Sequence, residues 1–153
     1  MRMMGDNHKT NRLKSHRKGN LFAVSAPSGA GKTTLCSALR KAFPEIRYSI
    51  SYTTRSPRPD ETEGVDYYFT GESKFLKMRD QGFWAEWAEV HGHYYGTSAG
   101  ILDQALTRGR DVLLDIDVQG VRQLLQRYPE TVTIFIMVPS MEILRERLEH
   151  RAT

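Results

Sequence analysis

Ser25-Ala26-Pro27-Ser28-Gly29-Ala30-Gly31-Lys32-Thr33-Thr34 is the stretch whose residue types and spacing best suit chemistry, and the chemistry is that of phosphate. Glycines let successive backbone N–H groups turn inward around phosphate oxygens, a lysine here reaches the outer phosphates of a nucleotide, and a threonine hydroxyl can ligate Mg²⁺. Ala26, Pro27, Ser28, Gly29, Ala30, Gly31, Lys32, Thr33 and Thr34 are therefore candidate phosphate-binding residues, with Thr33 a candidate metal ligand. The motif ordinarily opens with glycine, and that position is Ala26. Alanine is tolerable there unless the backbone needs a positive φ. A glycine-rich turn with no ligand is the competing reading, and Gly-Lys-Thr with suitable flanks argues against it.

Those flanks are the elements that position the loop. Leu21–Val24 is an apolar run suited to a buried strand, and Thr34 to Phe43 has helical spacing with Leu35, Leu39 and Phe43 on one face. Strand, glycine-rich loop and helix in that order put the positive end of a helix dipole at the phosphate.

Two further constellations follow. Arg55 and Arg58 lie three apart on Thr53-Thr54-Arg55-Ser56-Pro57-Arg58-Pro59, held extended by its prolines, so their guanidinium forks suit a small dianion. Asp115 and Asp117 end the apolar run 111–117 two residues apart, which predicts both carboxylates on one face. Ligands of open α/β sheets gather at the carboxyl ends of strands, so an acid there suits a Mg²⁺ shell or a substrate contact.

Between them, 46–51 and 64–69 read as strands, and 73–81 as a helix capped by Ser73 with Phe75, Leu76 and Met78 inward. The aromatic runs on either side of Gly92 predict a hairpin, and its tyrosines beside carboxylates suit a planar polar ligand. His91 and His93 have no third ligand nearby and read as surface histidines. Helices are predicted over 98–108, closed by Gly109, and over 118–127, with a strand at 131–138 and a last helix from Ser140. The fold class is α/β, a parallel sheet with helices on both faces. Residues 20–51 and 98–153 form the core, and 52–97 an inserted mixed segment.

The chain has 153 residues and a formal charge of +4, but the charge is concentrated in a basic arm. Residues 1–19 hold six of the 22 Lys and Arg and one of the 18 acids, leaving 16 basic and 17 acidic groups in the rest. The globular part is thus no polyanion surface, so nucleic acid is not an expected partner, and the arm reads as a disordered tail. No apolar run approaches membrane-spanning length. The single cysteine, Cys36, fits a reducing, cytoplasmic setting. Oligomeric state is not legible.

From Leu21 to Thr153 the chain resembles the guanylate kinases, P-loop nucleoside monophosphate kinases. The resemblance is carried by Ser-Ala-Pro-Ser-Gly-Ala-Gly-Lys-Thr, Ser-Tyr-Thr-Thr-Arg-Ser-Pro-Arg, Gly-Val-Asp-Tyr, Glu-Trp-Ala-Glu-Val, Tyr-Tyr-Gly-Thr and Leu-Asp-Ile-Asp-Val-Gln-Gly. It implies transfer of the ATP γ-phosphoryl group to GMP, with ATP on the loop residues Ala26 to Thr34. By the same resemblance Ser51, Arg55, Arg58, Tyr67 and Tyr95 grip the GMP phosphate, and Glu86, Thr97 and Asp117 read guanine. Thr33 and Asp115 attend Mg²⁺, and Lys32, Arg58 and Arg151 are the catalytic cations. Guanine offers N1–H and N2–H donors that adenine lacks, which suits carboxylate acceptors.

Family members continue past the position of Thr153 with the rest of a lid, an edge strand and a helix. The expectation is therefore a chain that binds GMP with impaired turnover and an unpaired flank on the 131–138 strand. A protein-binding module of the same fold is one rival, opposed by Lys32, Thr33, Arg55 and Arg58 all being present. A kinase for another base is the other, opposed by Glu86, Thr97 and Asp117.

Overall fold

In the computed structural model, residues 17–149 are described, apart from the Arg147 side chain; Arg151 and the arm up to residue 16 lie outside them. The strands are β1 Leu21–Ser25, β2 Arg47–Tyr48, β3 Tyr52–Thr53, β4 Tyr68–Phe69, β5 Trp84–Val90, β6 His93–Ser98, β7 Val112–Asp115 and β8 Val132–Phe135. The helices are α1 Lys32–Ala42, α2 Glu72–Asp80, α3 Ala99–Thr107, α4 Val118–Arg127 and α5 Met141–Glu149.

One sheet is parallel, in the order β2-β7-β1-β8, and places β1 between β7 and β8. Side chains alternate across it as a strand period of two requires. Leu21, Ala23, Val112, Leu114 and Ile116 face Ala99, Leu102, Ala105 and Leu106 of α3 and Leu124 of α4. Val24 and Leu113 face Cys36 of α1 on the opposite side, with Phe22, Leu39 and Ile46 around them. The second sheet is mixed, in the order β4-β3-β6-β5. Phe75 of α2 is fully buried against it, stacked between Trp84 and Tyr94 with ring centroids 4.3 and 5.5 Å away.

The β5–β6 hairpin turns on His91-Gly92, with φ of 51° and 74°. Positive φ at both central residues is the turn that matches strand twist. A register shift between Trp84 and Glu86 bends the start of β5. α3 is capped by Ser98, whose Oγ accepts the Ile101 N–H, and gives way at Gly109 with φ 72°.

Several local expectations are revised. Of the residues read as the inward stripe of α1, Leu39 packs on the core beside Cys36, while Leu35 and Phe43 are exposed, because Val24 and Leu113 meet the helix at Cys36. Gly71, not Ser73, precedes α2, so Ser73 lies within the helix. The strand at 46–51 contracts to Arg47–Tyr48, and that at 64–69 to Tyr68–Phe69. The 111–117 run leaves the strand after Asp115, and Asp117 caps α4 instead, its Oδ1 accepting the Gly120 N–H at 2.7 Å.

β8 is an edge strand with all four residues exposed, and an apolar hollow of about 290 Å³ opens between α1 and the sheet, lined by Phe22, Leu39, Phe43, Ile46, Leu113 and Ile134. Residues 17–19, read as tail, are docked: Arg17 pairs with Asp111 at 3.1 Å and the Gly19 N–H reaches the Leu106 carbonyl at 2.9 Å. Among the described residues no helix is long and apolar enough to cross a membrane.

Candidate active site

The phosphate loop leaves β1 at the carboxyl end of the parallel sheet and returns as α1. Gly29 and Gly31 take positive φ of 82° and 96°, a conformation that L side chains seldom adopt. Ala26 does not share it, which is why alanine serves where glycine is usual. α1 has no side-chain cap and no acid in its first turn, so its positive end is not neutralised by its own sequence. α5 roofs the loop: a Cβ on Gly29 would lie 3.0 Å from Leu148 and 3.5 Å from Leu144.

Lys32, the first residue of α1, forms an ion pair with Asp115, the last residue of β7, and both are largely buried. They line a cavity of about 210 Å³ together with Thr33, Ser51, Tyr67, Tyr95, Glu86 and Asp117; Ala88, Val90 and Ile116 supply its apolar wall. Residues more than eighty apart in the chain thus share one space, reached from both sheets. Burial raises the Tyr67 hydroxyl pKa, with Tyr95 and Asp115 adding to the rise, so Tyr67 stays a neutral donor.

Glu86 is the carboxylate that departs most from ordinary behaviour. It is 4% exposed, and burial pushes its pKa up to about 7 against the hydrogen bond from the Thr97 hydroxyl at 2.5 Å; the Asp117 charge pushes the same way as burial. Thr97 is itself buried behind Glu86 and is not on the cavity wall, so it orients the carboxylate.

The arginine loop is arranged differently from a pair of open forks. Arg55 gives one nitrogen to both oxygens of Glu61, at 2.6 and 2.9 Å, and another to the Ser56 carbonyl. Its guanidinium carbon sits 5.5 Å from the centre of the Tyr67 ring, and Tyr67 in turn meets Tyr95 at 6.0 Å. The Glu61 hydrogen bond raises the Arg55 pKa still further, and the same bond lowers that of Glu61. Arg58 offers its backbone N–H to Glu61 at 2.8 Å while its side chain is exposed, and neither Arg55 nor Arg58 is part of the cavity lining. Glu61 was not singled out in the sequence, although an acid three residues beyond Arg58 in a proline-held loop was available as a signal. Gly120 and Gln123 of α4, which touch Glu86 and Trp87, were also missed.

A phosphate loop on a parallel sheet, facing a second sheet across a cavity with cationic and carboxylate groups, places the chain among the P-loop nucleotide-binding proteins. The family model for guanylate kinase matches residues 18–153. The chain is 54% identical over 137 residues to a guanylate kinase from Geobacter metallireducens, covering 90% of this chain and 68% of that one. The figures for a guanylate kinase from Geobacter sulfurreducens are 53%, 90% and 68%. A crystal structure of guanylate kinase from Anaplasma phagocytophilum superposes with a TM-score of 0.70 at 37% identity, covering 89% of this chain and 70% of that one. The chain belongs to the guanylate kinase family.

Proposed function

We propose that this cavity binds GMP between the two sheets and the phosphates of ATP on the loop, and that the chain transfers the γ-phosphoryl group of ATP to GMP, giving GDP and ADP. A GMP phosphate oxygen forms the new bond to the γ-phosphorus while the bond to the β–γ bridging oxygen breaks, its electron pair passing to ADP. A phosphate monoester is already mostly ionised at neutral pH, so the acceptor needs no general base. The protein's task is to hold two polyanions in line and neutralise charge.

Lys32 and the loop of residues 26–34 take the donor phosphates in this reading, with N–H donation from loop residues other than Pro27, which has no N–H, and Ala30, whose N–H is given to the Pro27 carbonyl. Arg55, Ser51, Tyr67 and Tyr95 take the GMP phosphate, with Arg58 swinging in from its exposed position, and Arg151 is assigned to the donor side from its place in the sequence alone. Glu86, steadied by Thr97, and Asp117 accept hydrogen bonds from guanine.

The Thr33 hydroxyl and Asp115 carboxylate are hard oxygen donors that both line the cavity, and Mg²⁺ in nucleotide sites needs only one or two protein ligands beside phosphate oxygens. Bound there, Mg²⁺ would add charge neutralisation at the β- and γ-phosphates. The core of 20–51 and 98–153 carries the donor loop and lends Ser51 and Asp117 to the acceptor side, whose other contacts come from 52–97.

The observation that carries the reading is that Lys32 and Thr33 share one cavity with Glu86 and Asp117. Calorimetric titration with GMP, with AMP as control, tests it together with a coupled assay of ADP release. Selective GMP binding with GMP-dependent turnover is expected; equal binding of AMP by a folded sample would overturn the base assignment.

A further inference from the structure

We infer that Gln123 and Gly120 of α4 are positioning residues for base recognition: they lock β5 onto α4 so that the Glu86 and Asp117 carboxylates keep one fixed spacing. The inference rests on the proposed guanine-reading role of those two acids.

β5 lies at the edge of the mixed sheet, with β6 on one side only. The outward backbone groups of Trp87, next to Glu86, are met by a single side chain. The Trp87 N–H donates to Gln123 Oε1 at 3.1 Å, and Gln123 Nε2 donates to the Trp87 carbonyl at 2.6 Å. A carboxamide presents the donor and acceptor of a peptide group, so Gln123 completes the edge at that residue as a neighbouring strand would.

One turn earlier on the same helix, the Glu86 carboxylate rests against Gly120. A Cβ there would stand 2.4 Å from Glu86 Oε2 and 3.1 Å from its Cδ, while Asp117 Oδ1 would be 3.4 Å away. Gly120 is the third residue of α4, and its N–H is the group that Asp117 caps. The cap and first two turns of one helix therefore hold Asp117 by its cap bond, Glu86 by contact with Gly120 and Trp87 by its backbone.

This arrangement explains a glycine and a glutamine that helix formation does not require. Gly120 lies inside a helix, where alanine would favour the helix, and no positive φ calls for glycine. Its lack of a side chain is needed by Glu86. Gln123 is half-buried, with its polar end committed to a backbone in the other sheet.

The test uses Gln123→Leu, which keeps bulk and loses both hydrogen bonds, and Gly120→Ala, which favours the helix and displaces Glu86. Steady-state kinetics with GMP and ATP varied separately, and calorimetric GMP binding, are read on samples shown to be folded by circular dichroism. Each variant is expected to raise the GMP KM and Kd on the order of tenfold and narrow the GMP-to-AMP preference, with the ATP KM unchanged.

A uniform loss of kcat with unchanged GMP KM and selectivity would mean that the contacts are merely structural and would overturn the inference. If Gln123→Leu does not fold, Gly120→Ala decides alone, since its helix is not weakened. Glu86→Gln in the same assay separates the two readings. Should it leave GMP preference intact, the base assignment fails; should it abolish preference while both α4 variants behave as the parent, only the positioning role fails.

Discussion

Lys32 opens α1 and Asp115 closes β7, and the two form an ion pair over the carboxyl ends of adjacent parallel strands. The cation assigned to the donor phosphates therefore has a partner before any nucleotide arrives. Lys32→Ala should lower kcat about 10²-fold or more, as removal of one preorganised charge-stabilising donor does. Asp115→Asn should lower kcat and raise the Mg²⁺ concentration needed for half-maximal rate. Initial rates across a Mg²⁺ series measure both, and an unchanged Mg²⁺ requirement in Asp115→Asn would remove it from the metal site.

Glu86 makes stability and GMP binding respond oppositely to pH. Its folded pKa of about 7 exceeds its ordinary 4.5, so within that window the folded chain holds a proton that the unfolded chain has released. Stability from this group therefore falls as pH rises through the window, and the cost is complete above it, roughly 3 kcal/mol at most. Glu86→Gln should raise Tm at about pH 8 and change it little at about pH 4.5, as thermal melts would record. GMP affinity of the parent should instead improve as pH rises through about 7, because the acceptor must be ionised.

Glu61 orients the arginine loop. It binds the Arg55 guanidinium and the Arg58 N–H at once, so Glu61→Ala frees both. The expected result is a GMP KM raised on the order of tenfold, the weight of about one charge-assisted hydrogen bond, with little change in ATP KM. A lower GMP KM would mean that Glu61 competes with phosphate for Arg55.

The exposed edge at β8 makes Val132 a site where charge should help. Unpaired strands with apolar faces invite pairing between molecules, and an edge lysine discourages it. Val132→Lys, at the end of β8 remote from the phosphate loop, should reduce concentration-dependent light scattering while leaving GMP binding as it was.

How much was legible depended on how local the cause was. The phosphate loop and the bounds of α4 follow from short-range rules, in which glycine conformations and a 3.6-residue period act within a few residues. On α1, Leu39 faces the core as its spacing predicts but Leu35 does not, because periodicity gives the width of a face while packing on Val24 and Leu113 selects Cys36 over Leu35. Asp117 shows the same limit in another form. Its cavity position survives, but it reaches the cavity as a helix cap and not as the next strand residue. Gln123 was not legible at all, since its partner is the backbone of a strand in the other sheet and leaves no mark on local residue choice.

Arg17, Gly19 and Asn20 are fastened to Asp111 and Leu106, at the amino ends of β1 and β7, whereas the phosphate loop and Asp115 lie at the carboxyl ends of the same strands. A parallel sheet thus separates the point where the preceding chain departs from the mouth of the cavity. A reporter dye or linker coupled at residue 18, beside the docked Arg17 and Gly19, therefore sits at the far end of the strands from the nucleotide site. Labelling there leaves the nucleotide entrance clear, which suits it to surface-coupled binding measurements.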